Sequence, residues 1–490
     1  MSENFEKARA LRQAGRLDEA SSLYLAILSE NPDLHDVRYN LGLLYAQQEK
    51  FREALPEISK VLSARPDFGE GWLMLSDIGD RLSQYDLALF AAEQATRFMP
   101  DDARAWSRRG KALSRLECEE EAIEFLRHAV QLDPTAANTW INLCYTAKRI
   151  GNLDEAEAAI RQAYKALGRA IPDETLRDAE DDAYDILDWH LSLIELVRGD
   201  YAQGFARFRA RFRGGTNWHR LEVRQPTWRG KDLRGRTILV TPEEGHGDVL
   251  MMARYVPLLK AIGARVLFQV HPALKPFLTG WNGADEILAL DQPYPDAFDF
   301  HVPIFDLPYR FKTTLDTIPA TVPYLPVLPL DEAARLPREE RPAVGVVWSG
   351  HSLHQNDRQR SLPLSLMAAL FEDSRFQFFA INHDMRPDEA QMLSRLPVTD
   401  LSQRIHSFAD TARFVQQMDL IISCDSAVAH LAGGLGKNVW TLLPLVPDWR
   451  WLMDRDDSPW YKTMRLFRQT SRGDWTDVIG RVREALRLHK

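Results

Sequence analysis

A period of 34 residues in the first third of the chain constrains the fold more than any other feature of the sequence. Three residue types recur in register with this spacing, which chance does not readily explain. They are alanine at Ala20, Ala54, Ala88, Ala122 and Ala156, proline at Pro32, Pro66, Pro100 and Pro134, and tryptophan at Trp72, Trp106 and Trp140. A unit of this length holds two amphipathic helices, with alanine at a close helix contact and proline after the second helix. The sequence therefore predicts a stack of helical hairpins.

This period resembles the tetratricopeptide repeat (TPR) over residues 3–167. The period breaks at Ile171-Pro172, and VRGDYAQGFARFRARF (197–212) resembles the second half of one more, irregular repeat. We expect five regular units and a divergent sixth that caps a repeat domain spanning residues 1–205. TPR arrays form superhelices with a concave binding face, so we expect a protein partner there. The alternatives are a rigid spacer or an oligomer surface.

The bulk properties of the chain exclude several classes of protein. A net charge of -9 argues against a general nucleic-acid binder. The cysteines, Cys118, Cys144 and Cys424, are too few and too widely spaced for a disulfide framework or a structural zinc site. The N-terminus lacks an apolar signal core, and the most apolar stretch, residues 420–447, is interrupted by Asp425, His430 and Lys437, so we do not expect it to span a membrane. The sequence predicts a protein of the reducing cytoplasm.

Residues 206–236 are strongly basic, with arginine on alternate positions at Arg207, Arg209, Arg211 and Arg213. Alternate charges do not fit one face of a helix. We interpret this stretch as a linker that forms a solvated junction between domains, with a binding patch as the alternative.

The C-terminal half alternates short apolar runs with helical stretches. TILVT, ARVLFQV and DEILAL precede a proline- and charge-rich linker at residues 331–342, and AVGVVWSG, FQFFAIN, LIISCD and NVWTLLP follow it. Strands that alternate with helices predict parallel sheets covered on both faces. We predict two Rossmann-like α/β domains, residues 237–330 and 343–490, with a terminal helix in the second. Ligands of such sheets bind at the carboxyl ends of the strands.

Three strand-to-helix turns carry the candidate site residues. TPEEGHGDVL (241–250) places His246 and Asp248 in one turn, with Glu243 and Glu244 as rim or capping residues. LIISCDSAVAHLAGGLG (420–436) follows a buried strand with a helix that Asp425 or Ser426 can cap. The amides of Ser426, Ala427 and Val428 would form an anion site, and His430 lies one turn further on. The alternative is a well-capped helix in an ordinary α/β core.

The third turn, VWSGHSLHQNDRQRSL (347–362), follows a strand with Ser349-Gly350 and then a basic loop. Asn356, Arg358 and Arg360 in this loop offer donors for phosphate. A surface loop without a ligand is the alternative, and it suits Arg358 better than Arg360.

Together, GHGDVL, the WSG turn with its NDRQRS loop, and DSAVAHLAGGLGK resemble glycosyltransferases with the GT-B fold. The nearest group is the heptosyltransferase-like family, particularly bacterial proteins that fuse TPR units to such a domain. The layout is also similar to O-GlcNAc transferase and to TPR-bearing flagellin glycosyltransferases. The resemblance implies an α-solenoid followed by a GT-B pair, in which residues 237–330 meet the acceptor and residues 343–490 bind a nucleotide sugar.

The resemblance also implies roles for single residues. Asp248 corresponds to the general base, with His246 beside it as a rival. Donor phosphate would be held by Ser349, Gly350, Asn356, Arg360, Asp425, Ser426, Ala427 and His430. The loop lacks the lysine usual in heptosyltransferases, which leaves its phosphate contacts to other donors. Trp449 and Trp451 are candidates to pack the nucleotide base, with core packing as the alternative for at least one of them.

These roles predict a metal-independent, inverting glycosyltransferase that needs no cofactor and whose TPR array recruits a protein acceptor, such as a flagellin-like protein. One alternative is a transferase that builds a cell-surface glycan of the lipopolysaccharide type and recruits a partner through the array. Another is a TPR scaffold that has lost activity. The sequence does not distinguish among UDP, GDP, ADP and CMP donors.

Overall fold

The computed structural model describes residues 2–171, 186–212, 223–293, 295, 297–332, 334–351, 356–383 and 385–489. The chain divides into two compact units, Met1–Pro172 and Asp173–Lys490. The first unit consists of helices and the second contains two parallel sheets.

The described residues of the first unit form ten helices in five hairpins, which confirms the repeat pattern. The helices are α1 (Ser2–Gln13), α2 (Leu17–Glu30), α3 (His35–Gln47), α4 (Phe51–Ala64), α5 (Gly69–Arg81), α6 (Tyr85–Phe98), α7 (Ala103–Arg115), α8 (Glu119–Leu132), α9 (Ala137–Arg149) and α10 (Leu153–Ala166). The five periodic alanines are at most 1% exposed, because a larger side chain would separate the helices of a pair. The indole N–H groups of Trp72, Trp106 and Trp140 donate to the carbonyls of Pro66, Pro100 and Pro134 at 2.7–2.9 Å. These hydrogen bonds explain why proline and tryptophan recur with one period.

The second unit begins with a four-stranded parallel sheet of order β3-β2-β1-β4. Its strands are β1 (Thr237–Thr241), β2 (Arg265–Val270), β3 (Glu286–Ala289) and β4 (Phe300–Pro303). Helices α11 (Ile186–Val197) and α12 (Tyr201–Arg207) precede them, and α13 (His246–Met252), α14 (Val256–Ala261), α15 (Lys275–Leu278) and α16 (Leu307–Arg310) connect or follow them. The central strand β1 is buried from Ile238 to Thr241, as expected for a parallel strand with both faces covered.

A six-stranded parallel sheet of order β10-β9-β8-β5-β6-β7 follows. Its strands are β5 (Ala343–Val347), β6 (Gln377–Ala380), β7 (Val398–Asp400), β8 (Leu420–Cys424), β9 (Asn438–Leu443) and β10 (Met464–Arg468). Its helices are α17 (Asp357–Arg360), α18 (Leu364–Phe371), α19 (Pro387–Leu393), α20 (Phe408–Val415), α21 (Ala427–Gly434) and α22 (Trp475–Leu488). The sequence patterns missed β7 and β10, but the predicted parallel α/β architecture is confirmed.

Helices α11 and α12, which the sequence analysis assigned to a capping sixth repeat, belong by their contacts to the second unit. Tyr201 and Phe205 of α12 pack against Trp449 and Trp460 of the C-terminal region. The Trp460 indole donates to the Tyr201 hydroxyl at 3.1 Å. This aromatic cluster explains why the two helices group with the sheets rather than with the repeat array.

The prediction that Arg207 and Arg211 lie in a solvated junction is wrong. Both residues are at most 3% exposed. The Arg207 guanidinium pairs with Glu195 at 2.9 Å, and that of Arg211 pairs with Glu243 at 2.6 Å and with Asp306 at 2.8 Å. Arg207 and Arg211 therefore pair with carboxylates of the same unit, which the sequence pattern did not reveal. Arg213 lies outside the described residues.

Candidate functional site

The turn after β1 places Asp248 in the first turn of α13. One carboxylate oxygen, Oδ2, accepts a hydrogen bond from the Gly245 amide at 3.0 Å, which caps the helix. The other, Oδ1, forms an ion pair with the guanidinium of Arg450, from the loop after β9. Asp248 thus joins the carboxyl end of the first sheet to the carboxyl end of the second.

His246 and Glu244 flank Asp248 in the same turn. The His246 ring lies 5.0 Å from the rings of both His271 and Phe408. Burial, followed by the neighbouring His271 and His351, lowers the pKa of His246 to about 4, so the ring is neutral at pH 7. Glu244 is exposed, and its backbone has a φ of 55°, in the left-handed region that favours glycine.

Glu243 is not the rim or capping residue that the sequence suggested. It is 8% exposed, pairs with the Arg211 guanidinium and accepts a hydrogen bond from the Phe305 amide at 3.0 Å. Its partners hold the turn to the chain segment after β4, so Glu243 is a structural residue beneath the site.

The turn after β8 brings Ser426 to the N-cap position of α21, but its side chain makes no capping hydrogen bond. Its hydroxyl instead bonds the Ser423 hydroxyl at 2.9 Å. The first amides of a helix have no partner within the helix, so those of Ala427 and Val428 remain suited to an anion. Burial and then the nearby Asp448 carboxylate raise the pKa of Asp425 to about 6.

His430 is buried one turn further along α21. Its Nδ1 lies 3.0 Å from the Tyr461 hydroxyl, and its ring stacks on that of Trp451 with centroids 5.2 Å apart. Burial and then Arg450 hold the pKa of His430 well below its usual value. Trp449 and Trp451 are 6% and 0% exposed, so core packing describes both rings. In this structure His430 therefore packs the helix and neither tryptophan presents an open face to a nucleotide.

The two helices that start at these turns meet closely. A Cβ added at Gly247 of α13 would lie 2.9 Å from Cδ2 of His430 and 3.3 Å from Cα of Ala427 in α21. Such a distance leaves no room for a side chain. Glycine at this position therefore permits the first turns of α13 and α21 to lie against each other.

The loop after β5 contributes Arg360. Its guanidinium donates to the Asp425 carbonyl at 3.3 Å and covers Gly350, where an added Cβ would lie 2.5 Å from its Nη2. The Gly350 amide donates to the Ser361 hydroxyl at 3.1 Å. Ser349 accepts hydrogen bonds from the Asn382 amide through its carbonyl and its hydroxyl, which positions the WSG turn.

Asn356 occupies the N-cap position of α17, and Arg358 is exposed. Residues 352–355 of the same loop lie outside the described residues. The structure thus brings the Ser349-Gly350 turn, Arg360 and the end of β8 together. Arg358 forms no hydrogen bond or ion pair with any residue that the structure describes.

Sequence reasoning missed Arg450 and His271. Arg450 pairs with Asp248 and with Asp448, and its guanidinium lies 4.6 Å from the Trp449 ring. The available signal was the position of Arg450 in LVPDWRW (445–451), the segment that follows the buried strand β9. His271 similarly follows β2 directly.

The site therefore combines cations on the second sheet with titratable groups on the first. Arg360 and Arg450 both act electrostatically on Asp425, so their positive charges lie around the end of β8. Within the described ranges, no three His, Cys, Asp or Glu side chains are grouped to hold a metal ion. No helix in those ranges is long and apolar enough to cross a membrane. The arrangement can bind an anion beside groups that accept or hold a proton.

Comparisons with known proteins identify the repeats. Models described as tetratricopeptide repeat match residues 5–67, 39–97 and 103–135. The N-terminal array is a set of tetratricopeptide repeats. Solved structures are similar to about a third of this chain. MamA 41-end from Desulfovibrio magneticus RS-1 is 23% identical, covers 34% of this chain and 93% of its own, with a TM-score of 0.31. YrrB, described as a TPR protein with an unusual peptide-binding site, is 23% identical. The match covers 34% of this chain and 85% of YrrB, also with a TM-score of 0.31.

Two curated relatives differ in how much of the chain they match. Protein FlbA of Caulobacter vibrioides is 25% identical over 507 aligned residues, which cover 96% of this chain and 82% of FlbA. Human protein O-mannosyl-transferase TMTC1 is 26% identical over 166 residues, which cover 33% of this chain but only 18% of TMTC1. FlbA therefore parallels both the repeats and the parallel-sheet region, whereas TMTC1 matches a limited segment.

Proposed function

We propose that this chain is a metal-independent, inverting glycosyltransferase that moves a sugar from a nucleotide sugar to a hydroxyl of a protein acceptor. The observation that carries the proposal is the meeting of Arg360, Arg450 and the start of α21 with the turn after β1. In the proposed reaction, these cations would face a leaving phosphate, and the turn would offer groups that accept a proton. The similarity to TMTC1, a protein O-mannosyl-transferase by name, is consistent with glycosyl transfer.

The residues would divide the reaction between the two sheets. The Arg360 and Arg450 guanidinium groups and the amides of Ala427 and Val428 would hold the donor phosphates. They would offset the charge that grows on the leaving nucleotide, which removes the need for a metal. The turn after β1 holds three candidate bases, Glu244 and the two proposed from the sequence, His246 and Asp248. The acceptor hydroxyl needs such a base because it is a weak nucleophile while it keeps its proton.

Nucleotide-sugar binding tests the donor site. The purified full chain would be titrated calorimetrically with UDP-, GDP-, ADP- and CMP-linked sugars. Arg360→Ala should weaken the one that binds by about 10- to 100-fold, because a hydrogen bond to a charged group contributes about 1.5–3 kcal/mol. Arg358→Ala is the matched control, since Arg358 is exposed two residues away. The proposal would be contradicted if the wild-type chain neither bound nor turned over any of the four donors.

Photo-crosslinking tests the recruitment of a protein by the repeats. A photoreactive residue in place of Met74, in the first helix of its repeat, should capture the acceptor if the acceptor binds along the concave face. The same residue at Phe90, which is 50% exposed on the second helix of that repeat, is the control. Capture from Phe90 alone would place the partner elsewhere. Mass spectrometry of the captured protein would show whether it carries the transferred sugar.

A further inference from the structure

The turn after β1 contains three groups that could accept a proton, and their surroundings differ. Both carboxylate oxygens of Asp248 are occupied, one by the Gly245 amide and the other by Arg450. An oxygen that is already engaged by the Gly245 amide or by the Arg450 guanidinium is less open to an incoming acceptor hydroxyl. Asp248 is therefore suited to position Arg450 and the start of α13.

His246 is also poorly placed to act as the base. Its ring is half-buried between His271 and Phe408. These surroundings disfavour the positive charge that the ring would acquire with a second proton. A pKa of about 4 means that protonated His246 is unstable at neutral pH, far from the value that general-base catalysis favours.

Glu244 differs from both neighbours in its access to solvent and in its backbone. Its carboxylate forms no hydrogen bond or ion pair with any residue that the structure describes, and the residue is exposed. Its φ of 55° costs a residue with a side chain about 1–2 kcal/mol. Strained backbone of this kind occurs preferentially at functional sites, where the surrounding structure maintains it. Here the turn holds an unpaired carboxylate at the carboxyl end of β1, beside the ion pair of Asp248 and Arg450.

We propose that Glu244, rather than Asp248 or His246, takes the proton from the acceptor hydroxyl, an assignment that rests on the proposed glycosyl transfer. Glu244 accepts the proton while the acceptor oxygen forms its bond to the anomeric carbon of the donor sugar. The bond from that carbon to the phosphate oxygen breaks, and its electron pair leaves with the nucleotide beside Arg360 and Arg450. Protonated Glu244 then releases the proton to solvent.

The charges around Glu244 support this role. Partial burial of the carboxyl group and then the Asp248 carboxylate raise the pKa of Glu244 to about 7, although the residue as a whole is exposed. The buried Glu243 adds to this effect, while Arg450 and Arg211 oppose it. A base whose pKa lies near the working pH combines a useful ionised fraction with proton affinity. The ionised, active form should therefore be lost as the pH falls below about 7.

A pH profile of turnover tests the assignment, with released nucleotide measured for the donor that the wild-type full chain uses. Glu244→Gln should reduce turnover by about 100- to 10,000-fold. The donor dissociation constant should stay within about twofold, since Gln keeps the shape of the side chain and the proposed donor contacts come from Arg360, Arg450 and the start of α21. Wild-type turnover should fall about tenfold per unit below about pH 7, and the residual rate of Glu244→Gln should lose this acid limb. Glu244→Asp should retain part of the rate.

Glu340→Gln is the matched control, because Glu340 is an exposed carboxylate in the segment before β5. It should change neither turnover nor its pH dependence. Full turnover by Glu244→Gln together with loss of turnover in Asp248→Asn or in His246→Gln would overturn the assignment. A wild-type chain that neither binds nor turns over any nucleotide sugar would instead contradict glycosyl transfer itself, so the two failures are distinguishable.

Discussion

The contact between α13 and α21 can be tested by adding a single methyl group at Gly247. In Gly247→Ala, the new Cβ would lie 2.9 Å from Cδ2 of His430 and 3.3 Å from Cα of Ala427. The His430 ring cannot rotate away easily, because it bonds the Tyr461 hydroxyl and stacks on Trp451. The methyl group must therefore displace a buried ring or separate the two helices.

The magnitude follows from two opposing effects. Overpacking a well-filled contact costs about 1–3 kcal/mol, while alanine in place of glycine inside a helix gains up to about 1 kcal/mol. We expect Gly247→Ala to lower the free energy of unfolding by about 1–2 kcal/mol. Gly480→Ala in α22 should instead raise it by up to about 1 kcal/mol, since an added Cβ there meets no atom within 4 Å. The same glycine-to-alanine substitution should thus lower the free energy of unfolding at one helical position and raise it at another position of the same unit.

Differential scanning calorimetry of the full chain separates the effects, because a chain with two compact units need not unfold in one step. The transition that Gly480→Ala moves to higher temperature identifies the unit that contains both sheets. Gly247→Ala should move this transition to lower temperature. If both variants raise it equally, α13 and α21 do not pack as described, and the two turns of the candidate site do not face each other.

Two further predictions concern charge. Arg211→Ala should lower the free energy of unfolding by about 3–5 kcal/mol in the same calorimetric transition, because it leaves the buried carboxylates of Glu243 and Asp306 without their cation. Arg236→Ala, which breaks an exposed pair, should lower it by less than about 1 kcal/mol. Equal losses of stability in the two variants would refute the burial argument. The carboxyl group of Asp425 has a pKa of about 6, so it loses its negative charge, and its repulsion of donor phosphates, as the pH falls from about 7.5 to 5.5. In calorimetric titrations a nucleotide sugar should therefore bind the wild-type chain more tightly at the lower pH, and should bind Asp425→Asn tightly throughout this range. A pH dependence retained in Asp425→Asn would exclude this cause.

Much of the fold was accessible from local patterns. The 34-residue period predicted five helical hairpins, because the small alanine, the proline and the tryptophan each meet a requirement that recurs in every repeat. Alternating apolar runs predicted the parallel strands, but β7 and β10 were missed. MRLFR, the sequence of β10, alternates like an edge strand and lies outside the regular succession of strands and helices.

The candidate site was only partly accessible. The sequence brought Arg360 and Asp425 into one hypothesis, since both follow strands of one parallel sheet, and the structure places them in contact. It did not indicate Arg450, because its partner Asp248 lies 202 residues away. Nor could it show that both tryptophans of LVPDWRW are buried, since solvent exposure in a loop depends on what packs over it.

The sequence by itself determined the two architectures, because helix and strand periodicities are set by neighbouring residues along the chain. Only the tertiary structure decided which charged side chains form ion pairs within the fold and which stay exposed and able to take part in a reaction. Arg211 and Glu243 look like surface residues in the sequence, yet they neutralise each other in the interior. Asp248 is held by Arg450 while Glu244 stays exposed. Proton affinity depends on burial and on charges within a few ångströms, and residues far apart in the chain supply both.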